Sequence, residues 1–198
     1  MNTAMKMMLC AIPLLFAVGC TKKVARVEVD STIDLSGRWN DADSRMVAEE
    51  MINDCLNQRW LYKYDEEKRR PTVIVGRVRN KSHEHINVNT FVKDMERVLI
   101  NSARVDFVAS KSEREQIRDE KMDQAENASV QTAKSMGEET GAELMLIGSV
   151  NTIFDQEDTR AVLYYQVDME LIEIETNRKV WIGDKKIKKY VTRSRTKF

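Results

Sequence analysis

The spacing of apolar residues changes along the chain, and it predicts helices in the first two thirds and strands in the last third. Val47, Met51 and Cys55 recur every four residues behind a helix-capping residue at Asn40 or Asp41, which places them on one helix face. The predicted helices are Asn40–Arg59, a second from Asn89 or Thr90, Ser112–Gln124, and Ser129–Glu139 with Gly141 as its C-terminal cap.

Strict alternation of apolar and polar residues marks the C-terminal part of the chain. Tyr165, Val167, Met169 and Leu171 alternate with Gln166, Asp168 and Glu170, so the first set is expected to face the core. The predicted strands are Thr72–Val78, Val105–Val108, Leu144–Val150, Ala161–Glu173 and Val180–Ile187, with a hairpin turn at Glu175–Arg178. The last three strands therefore form an antiparallel meander.

These elements predict one α/β (α+β) domain. Their order is α-β-α-β-α-β-β-β, with helices packed on a mostly antiparallel sheet. Leu144–Val150 is apolar at both alternations, which indicates a central strand covered on both faces.

A short apolar run near the N-terminus ends in a cysteine. Met7–Val18 follows Lys6 and is shorter than the roughly 20 residues of a membrane-spanning helix, but it suits a secretory signal. Because Ala-Val-Gly-Cys at this place resembles a bacterial lipobox, we expect residues 1–19 to be a lipoprotein signal peptide. Cleavage after Gly19 leaves Cys20 as the lipid anchor. The alternative is an ordinary signal peptide with an incidental cysteine.

The segment after the cysteine has no sustained apolar pattern. We interpret residues 20–35 as the lipidated cysteine and a short tether, and residues 36–198 as the globular domain. Fully extended, Thr21–Leu35 reaches roughly 50 Å. Alternatively, Val27 and Val29 form an extra edge strand. Thr21, rather than aspartate, after the cysteine favours sorting to the outer membrane.

The charge balance and the cysteine count narrow the possible partners and cross-links of the chain. The 198 residues carry 32 basic and 32 acidic side chains, so the overall charge indicates no nucleic-acid partner. Cys10 belongs to the signal and Cys20 to the anchor, which leaves Cys55 without a partner for an intramolecular disulfide. Its position on the apolar helix face predicts a buried thiol.

No pattern of catalytic residues stands out. The chain has no nucleophile elbow, phosphate-binding loop, dinucleotide fingerprint or zinc-protease motif. His83-Glu84-His85 is the only histidine cluster, and it lacks the further ligands that a zinc site needs. We therefore expect a solvated loop there, no metal or cofactor, and a protein that is not an enzyme.

Basic residues accumulate at the C-terminal end. They are Lys185, Lys186, Lys188, Lys189, Arg193, Arg195 and Lys197. Either this is a solvated strand edge and tail, or it binds an acidic protein patch, anionic lipid or acidic glycan. Because tyrosine and arginine often anchor interfaces, the candidate partner-binding residues are Arg79, Lys81, Tyr164, Tyr165, Lys186 and Lys188. The charged helix Ser112–Gln124 is a further candidate surface.

Several stretches together resemble the LpoB family. They are LSGRWNDADSRMVAEEMINDC (35–55), RPTVIVGRVRN (70–80), INSARVDFVASKSEREQIRDEKMDQ (100–124), ETGAELMLIGSV (139–150) and YYQVDMELIEIETNRKVWIGDKKIKKY (164–190). The resemblance implies a TolB-N-terminal-like domain on a lipid-anchored tether. It also implies a periplasmic activator of a class A penicillin-binding protein, held at the outer membrane.

The tether departs from that family pattern. Well-known members carry a long, proline-rich tether, whereas residues 21–35 are short and contain no proline. The domain is expected to be a monomer, with peptidoglycan as a further candidate ligand. The alternative function is a structural outer-membrane lipoprotein that assembles with itself or with a secretion or flagellar complex.

Overall fold

The computed structural model describes residues 24–134 and 137–193. The chain divides into two compact units, residues 1–31 and 32–198. In the first unit, the described residues 24–31 form neither helix nor strand, and Val27 and Val29 are exposed. The extra edge strand is therefore not formed. Gly19 and Cys20 lie outside the described residues, so cleavage and lipidation remain predictions.

The first helix, α1 (Asp41–Leu56), begins at a reciprocal cap. The Asn40 side chain accepts the Asp43 N–H at 3.0 Å, and the Asp43 carboxylate accepts the Asn40 N–H at 2.9 Å. The helix ends before the predicted Arg59. A 3-10 turn (Arg59–Leu61) and the short helix α2 (Tyr62–Glu66) follow.

Helix α2 was not predicted. Its residues lack a sustained helical period, and burial of Trp60, Leu61 and Tyr64 fixes the segment against the core. The Trp60 indole also donates to the Cys55 carbonyl at 2.7 Å, which ties the turn to the end of α1. Tertiary packing, rather than a local sequence pattern, therefore determines that this segment is helical.

The remaining elements agree with the sequence in type. They are β1 (Thr72–Asn80), α3 (Val88–Asn101), β2 (Asp106–Phe107), α4 (Lys111–Asn127), β3 (Leu144–Glu157), β4 (Arg160–Glu173) and β5 (Lys179–Thr192). Asn87 caps α3 through the Asn89 N–H at 3.2 Å, so this helix begins slightly earlier than predicted. None of the helices in the described residues has the length and apolar character of a membrane span.

The sheet is mixed, with strand order β2-β1-β3-β4-β5. The predicted meander of β3, β4 and β5 is antiparallel, but β1 pairs in parallel with both β2 and β3. The expectation of a mostly antiparallel sheet is therefore corrected to a mixed sheet, in which both neighbours of β1 run parallel to it. The helix-containing connections through α3 and α4 are long enough to return the chain for parallel pairing.

The core lies between the sheet and the helices α1 and α3. Tyr165, Val167, Met169 and Leu171 are buried, as is Cys55 on α1, which confirms the predicted inward set and the buried thiol. The outward residues Gln166, Asp168 and Glu170 are half-buried rather than exposed. Strand β3 occupies the centre of the sheet as predicted. The expected cover on both faces is corrected, because Leu144, Leu146 and Val150 are buried whereas the alternate residues Met145, Ile147 and Ser149 are half-buried.

The predicted helix Ser129–Glu139 is not formed in the described residues of that range. Helix α4 ends at Asn127, where Ala128 is extended with ψ 161°, and Val130 is 98% exposed. A short apolar stripe with no surface to pack against does not stabilise a helix in water. Gly141 therefore caps no helix, and Met136 lies outside the described residues.

Candidate functional site: the open face of the sheet

One face of the sheet points away from α1 and α3, and we call it the open face. It is formed by alternate residues of the strands, because neighbouring side chains of a strand project to opposite faces. On β5 these residues are all exposed, whereas the intervening ones are half-buried or buried. The open-face residues of β5 are Ile182, Asp184, Lys186, Lys188 and Tyr190.

Strand register brings three of the open-face side chains into one row. Ile153 on β3 pairs with Tyr164 on β4, and Tyr164 pairs with Lys188 on β5. Lys186 and Tyr190 flank Lys188 two residues away on the same face. We call Ile153, Tyr164, Lys186, Lys188 and Tyr190 the aromatic–basic patch. Ile153 is 65% and Tyr190 64% exposed, so the patch presents apolar, aromatic and cationic groups to solvent.

A network of polar side chains supports the patch from the middle of the sheet. The Asp168 carboxylate accepts from the Asn151 amide at 2.9 Å and from the Gln166 amide at 2.7 Å. Asn151 also donates to the Ser149 hydroxyl at 3.2 Å. The Tyr164 hydroxyl donates to the Gln166 side-chain oxygen at 3.4 Å. These bonds satisfy the half-buried polar groups and orient the Tyr164 ring.

The cations of the open face differ in their partners. Lys186 pairs with Asp184 at 2.9 Å, and this hydrogen bond raises the Lys186 pKa. Lys188 and Arg79 take part in none of the ion pairs found among the described residues. Arg79 lies opposite Ser149 in the register of β1 and β3. Both charges are therefore available to an acidic partner.

The structure separates the six predicted partner-binding residues into three groups. Arg79, Tyr164, Lys186 and Lys188 share the open face. Lys81 is exposed just past β1, where its N–H donates to the Val150 carbonyl at 2.8 Å.

Tyr165 belongs to the core and is corrected as a surface candidate. It is 0% exposed, and its hydroxyl donates to Glu84 at 2.8 Å. Burial and the hydrogen bond to Glu84 both raise its pKa. Its ring packs edge-on against Trp39 at 5.5 Å. The predicted alternation of β4 already pointed this side chain inward.

Sequence reasoning missed Ile153, Ile182 and Tyr190 in the open face. The predicted strands ended at Val150 and Ile187, so Ile153 and Tyr190 fell outside them. The signal was present, since Tyr190 continues the two-residue spacing of Lys186 and Lys188. Nothing in that spacing alone says which alternation faces the helices.

The other candidate groups do not assemble into a catalytic or metal site. His83 and His85 are exposed on the loop after β1, which agrees with the solvated loop expected for the two histidines. No group of three or more His, Cys, Asp or Glu side chains in the described residues is placed to hold a metal. Burial raises the pKa of the Cys55 thiol to about 12, so this cysteine is a core residue rather than a nucleophile.

A family model described as peptidoglycan-synthase activator LpoB matches residues 43–187. The chain belongs to the LpoB family. Members of this family are activators, not catalysts, and their partner is a peptidoglycan synthase. The match includes β1 and, on the open face, Tyr164 and Lys186; it ends at residue 187, one residue before Lys188. Membership places this LpoB-family protein in the bacterial cell envelope.

Solved structures similar to this LpoB-family protein include two of LpoB itself. The LpoB C-terminal domain from Salmonella enterica is 16% identical, with 73% of this chain and 98% of that chain covered and a TM-score of 0.44. Escherichia coli LpoB is 13% identical, with 92% and 88% covered and a TM-score of 0.42. The Neisseria meningitidis lipoprotein GNA1162 is 14% identical, with 64% and 88% covered and a TM-score of 0.39. No curated protein matches the chain.

Proposed function

We propose that this LpoB-family protein docks onto a class A penicillin-binding protein through the open face and activates it. The observation that carries the proposal is the aromatic–basic patch, in which Tyr164, Lys186, Lys188 and Tyr190 adjoin on one exposed sheet surface. Membership of the family supports a peptidoglycan synthase as the partner, and class A is part of the proposal.

The composition of the patch suits a protein interface. Tyrosine side chains combine a large apolar area with a polar tip and often carry much of the binding energy. Lysines at the rim attract an acidic surface and speed association. The complementary surface on the synthase is therefore expected to be acidic around an apolar centre.

The proposed anchor is lipid on Cys20, with the domain held at the outer membrane and facing the periplasm. The support is the apolar run before Cys20 and the threonine after it. Cys20→Ser is expected to leave an uncleaved, unlipidated precursor. If the Cys20→Ser protein is still processed like the wild type, Cys20 is not the anchor. Mass spectrometry of the membrane fraction measures both cleavage and acylation.

The docking test uses the chain without its first 20 residues and the purified cognate synthase. The rate of glycan polymerisation is measured with wild type, Lys188→Glu and Lys111→Glu. Lys188 lies in the patch, whereas Lys111 begins the solvated helix α4, so the two variants make the same charge change on different surfaces. We expect Lys188→Glu to weaken activation at least tenfold and Lys111→Glu to leave it near the wild-type value.

Each other outcome has a defined meaning. Loss of activation in Lys111→Glu alone moves the docking surface to α4. Wild-type activation in both variants, and in Tyr164→Ala, contradicts docking through the open face. If the wild-type domain stimulates no class A synthase, the class of partner is wrong. A ring of defined size in solution, instead of the expected monomer, favours the assembly alternative.

A further inference from the structure

A cavity of about 270 Å³ lies at the far end of the meander. Ile153 of the aromatic–basic patch borders it, but the other apolar residues that line it belong to the core-facing alternation of the strands. Its floor is formed by core-face side chains of β3, β4 and β5. These side chains are Phe154, Ala161, Leu163 and Val191. Phe154 is 50% exposed, so part of the apolar floor is open to solvent.

One wall of the cavity is the loop between β1 and α3, and several hydrogen bonds hold it in place. The His83 N–H donates to the Thr152 hydroxyl at 3.2 Å, and the His83 ring Nδ1 lies 2.9 Å from the same oxygen. The Asn80 amide donates to the Glu84 carbonyl at 2.8 Å. The wall is thereby fixed to β3 and to the end of β1.

The opposite wall is the segment Ser36–Arg38. Gly37 has φ +72°, a left-handed conformation that favours glycine, and an added Cβ would overlap Val191. Lys189 Nζ donates to the Arg38 carbonyl at 3.2 Å and to Asp43 at 2.6 Å. Both walls are therefore set by contacts within the domain, and the cavity is preformed. Preformed sites bind with less loss of conformational entropy.

The polar groups around the cavity are mostly basic. Arg38, Arg193, His83 and His85 line it together with one carboxylate, Glu84. Both oxygens of Glu84 already accept hydrogen bonds, from the Tyr165 hydroxyl at 2.8 Å and from the Trp39 N–H at 3.2 Å. Arg38 and Arg193 carry planar guanidinium groups, whose geometry suits a carboxylate. The rim therefore complements an anion above an apolar floor.

We propose that this cavity binds an apolar side chain of an acidic protein segment. The apolar side chain would lie on Phe154 and Leu163, and a neighbouring carboxylate would face Arg38 and Arg193. The volume is slightly below that of typical small-molecule pockets, about 300–1,000 Å³, which favours a side chain over a whole cofactor. The proposal goes beyond docking through the open face and holds whether or not that face binds the synthase.

The test titrates the water-soluble chain from residue 20, carrying Cys20→Ser, with a capped Asp-Leu-Asp tripeptide. Two control peptides, Asp-Ala-Asp and Lys-Leu-Lys, lack the apolar side chain or the negative charge. Methyl NMR signals of Ala161, Leu163 and Val191 report binding. We expect these signals to shift with Asp-Leu-Asp, with at least fivefold weaker binding of each control.

Exposed residues supply the matched variants. Arg38→Gln together with Arg193→Gln is expected to weaken Asp-Leu-Asp binding at least fivefold, because both side chains are exposed and their replacement leaves the core intact. Lys188→Glu on the open face should leave binding unchanged. An unchanged circular dichroism spectrum checks that each variant is folded.

Three results overturn the proposal. The first is the absence of methyl shifts with Asp-Leu-Asp at millimolar concentration. The second is equal binding of Lys-Leu-Lys, which removes the charge recognition. The third is tighter binding of a disaccharide–tetrapeptide fragment of peptidoglycan than of Asp-Leu-Asp, which assigns the cavity to cell-wall peptides instead of a protein segment.

Discussion

At the scale of single residues, neighbours on β4 have opposite roles because they lie on opposite faces of the sheet. Met169 and Leu171 are 0% and 2% exposed, whereas Glu170 is half-buried and pairs with Lys179 at 2.8 Å. Burial therefore decides the cost of a substitution here more than residue size does.

Leu171→Ala and Glu170→Ala form a matched pair. Leu171→Ala is expected to lower the free energy of unfolding by about 2–5 kcal/mol, since it leaves a cavity in the core. Glu170→Ala is expected to change it by about 1 kcal/mol or less, because a partly exposed ion pair contributes little. Urea denaturation measures both. Equal midpoints would contradict the inward and outward assignment of β4.

The Cys55 thiol provides a test of burial and of pH dependence. Burial raises its pKa from 9.0 to about 12, with a smaller contribution from Asp54. In the chain from residue 20 with Cys20→Ser, Cys55 is the single thiol. A thiol reagent at pH 8 is expected to label it only after unfolding, so fast labelling of the folded protein would show that the thiol is accessible.

The same shift predicts a loss of stability in alkali. Between pH 9 and pH 12 the unfolded chain loses the thiol proton while the folded chain keeps it, so the free energy of unfolding falls as the pH rises. Cys55→Ala should show a shallower fall in urea titrations over this range. An identical slope would exclude a contribution from the thiol.

At the scale of secondary-structure elements, close packing between β3 and β4 restricts one position to glycine. A Cβ on Gly148 would overlap Met169 Sδ and lie 2.5 Å from the Asp168 carbonyl oxygen. Gly141 has nothing within 4 Å of its added Cβ. The two glycines therefore have different structural roles despite lying in adjacent segments.

Alanine substitution of both glycines tests this difference. Gly148→Ala is expected to destabilise the domain by about 1–3 kcal/mol, as overpacked core sites do, whereas Gly141→Ala should be near neutral. The comparison uses urea midpoints of the two variants. A stable Gly148→Ala domain would mean that β3 and β4 can separate locally without loss.

Helix α4 depends on polar contacts, since none of its residues is buried. Glu113 accepts from Lys93 at 2.8 Å and from the Ser110 N–H at 2.8 Å. These hydrogen bonds, first that from Lys93, lower the Glu113 pKa to about 2. The Arg118 guanidinium binds Glu139 at 2.6 Å. Sequence analysis predicted the solvated helix correctly. It did not predict the ion pairs that connect the helix to Lys93 and Glu139.

Acid is expected to loosen the start of α4. The pKa of Glu113 is lower in the folded domain than in the unfolded chain. Its contribution to the free energy of unfolding is therefore complete above about pH 4.5 and is lost as the pH falls through about 2. Backbone NMR shifts of residues 111–114 follow this titration. Glu113→Gln should remove the acid transition at these residues, and its persistence would assign the transition to another group.

At the scale of the whole molecule, the distance that the domain can reach from its anchor and the surface with which it binds are separate properties. The compact unit begins at Thr32, and the Asp34 carboxylate accepts from Lys189 at 2.6 Å. The residues available as a tether therefore precede this point. If residues before Thr32 form the proposed tether, their length limits where the domain can meet a synthase, whereas the proposed docking through the open face limits what the domain can bind.

Shortening the tether tests this separation. Deleting seven residues between 21 and 31 removes roughly 25 Å of maximum reach. We expect loss of function in cells and unchanged activation of the purified synthase, because the deletion leaves the proposed docking surface intact. The readouts are growth in cells that depend on this activator and the polymerisation rate in solution. Normal growth would place the partner close to the membrane that holds the anchor.

The sequence by itself determined the features that depend on local pattern. The period of two along β4 assigned its buried residues, and the capping residues near Asn40 placed the start of α1. Both follow from neighbours in the chain. The family could also be recognised, because its likeness extends over stretches that need no three-dimensional arrangement.

Only the tertiary structure decided which of these pieces meet. Three features depend on contacts between residues that are distant in the chain. They are the pairing of β1 with β3, the folding of α2 onto the core, and the absence of a helix after Asn127 in the described residues. The row of Ile153, Tyr164 and Lys188 exists because three strands pair in one register. The two-residue period assigns faces within one strand, whereas only the register between strands places residues of different strands on one surface.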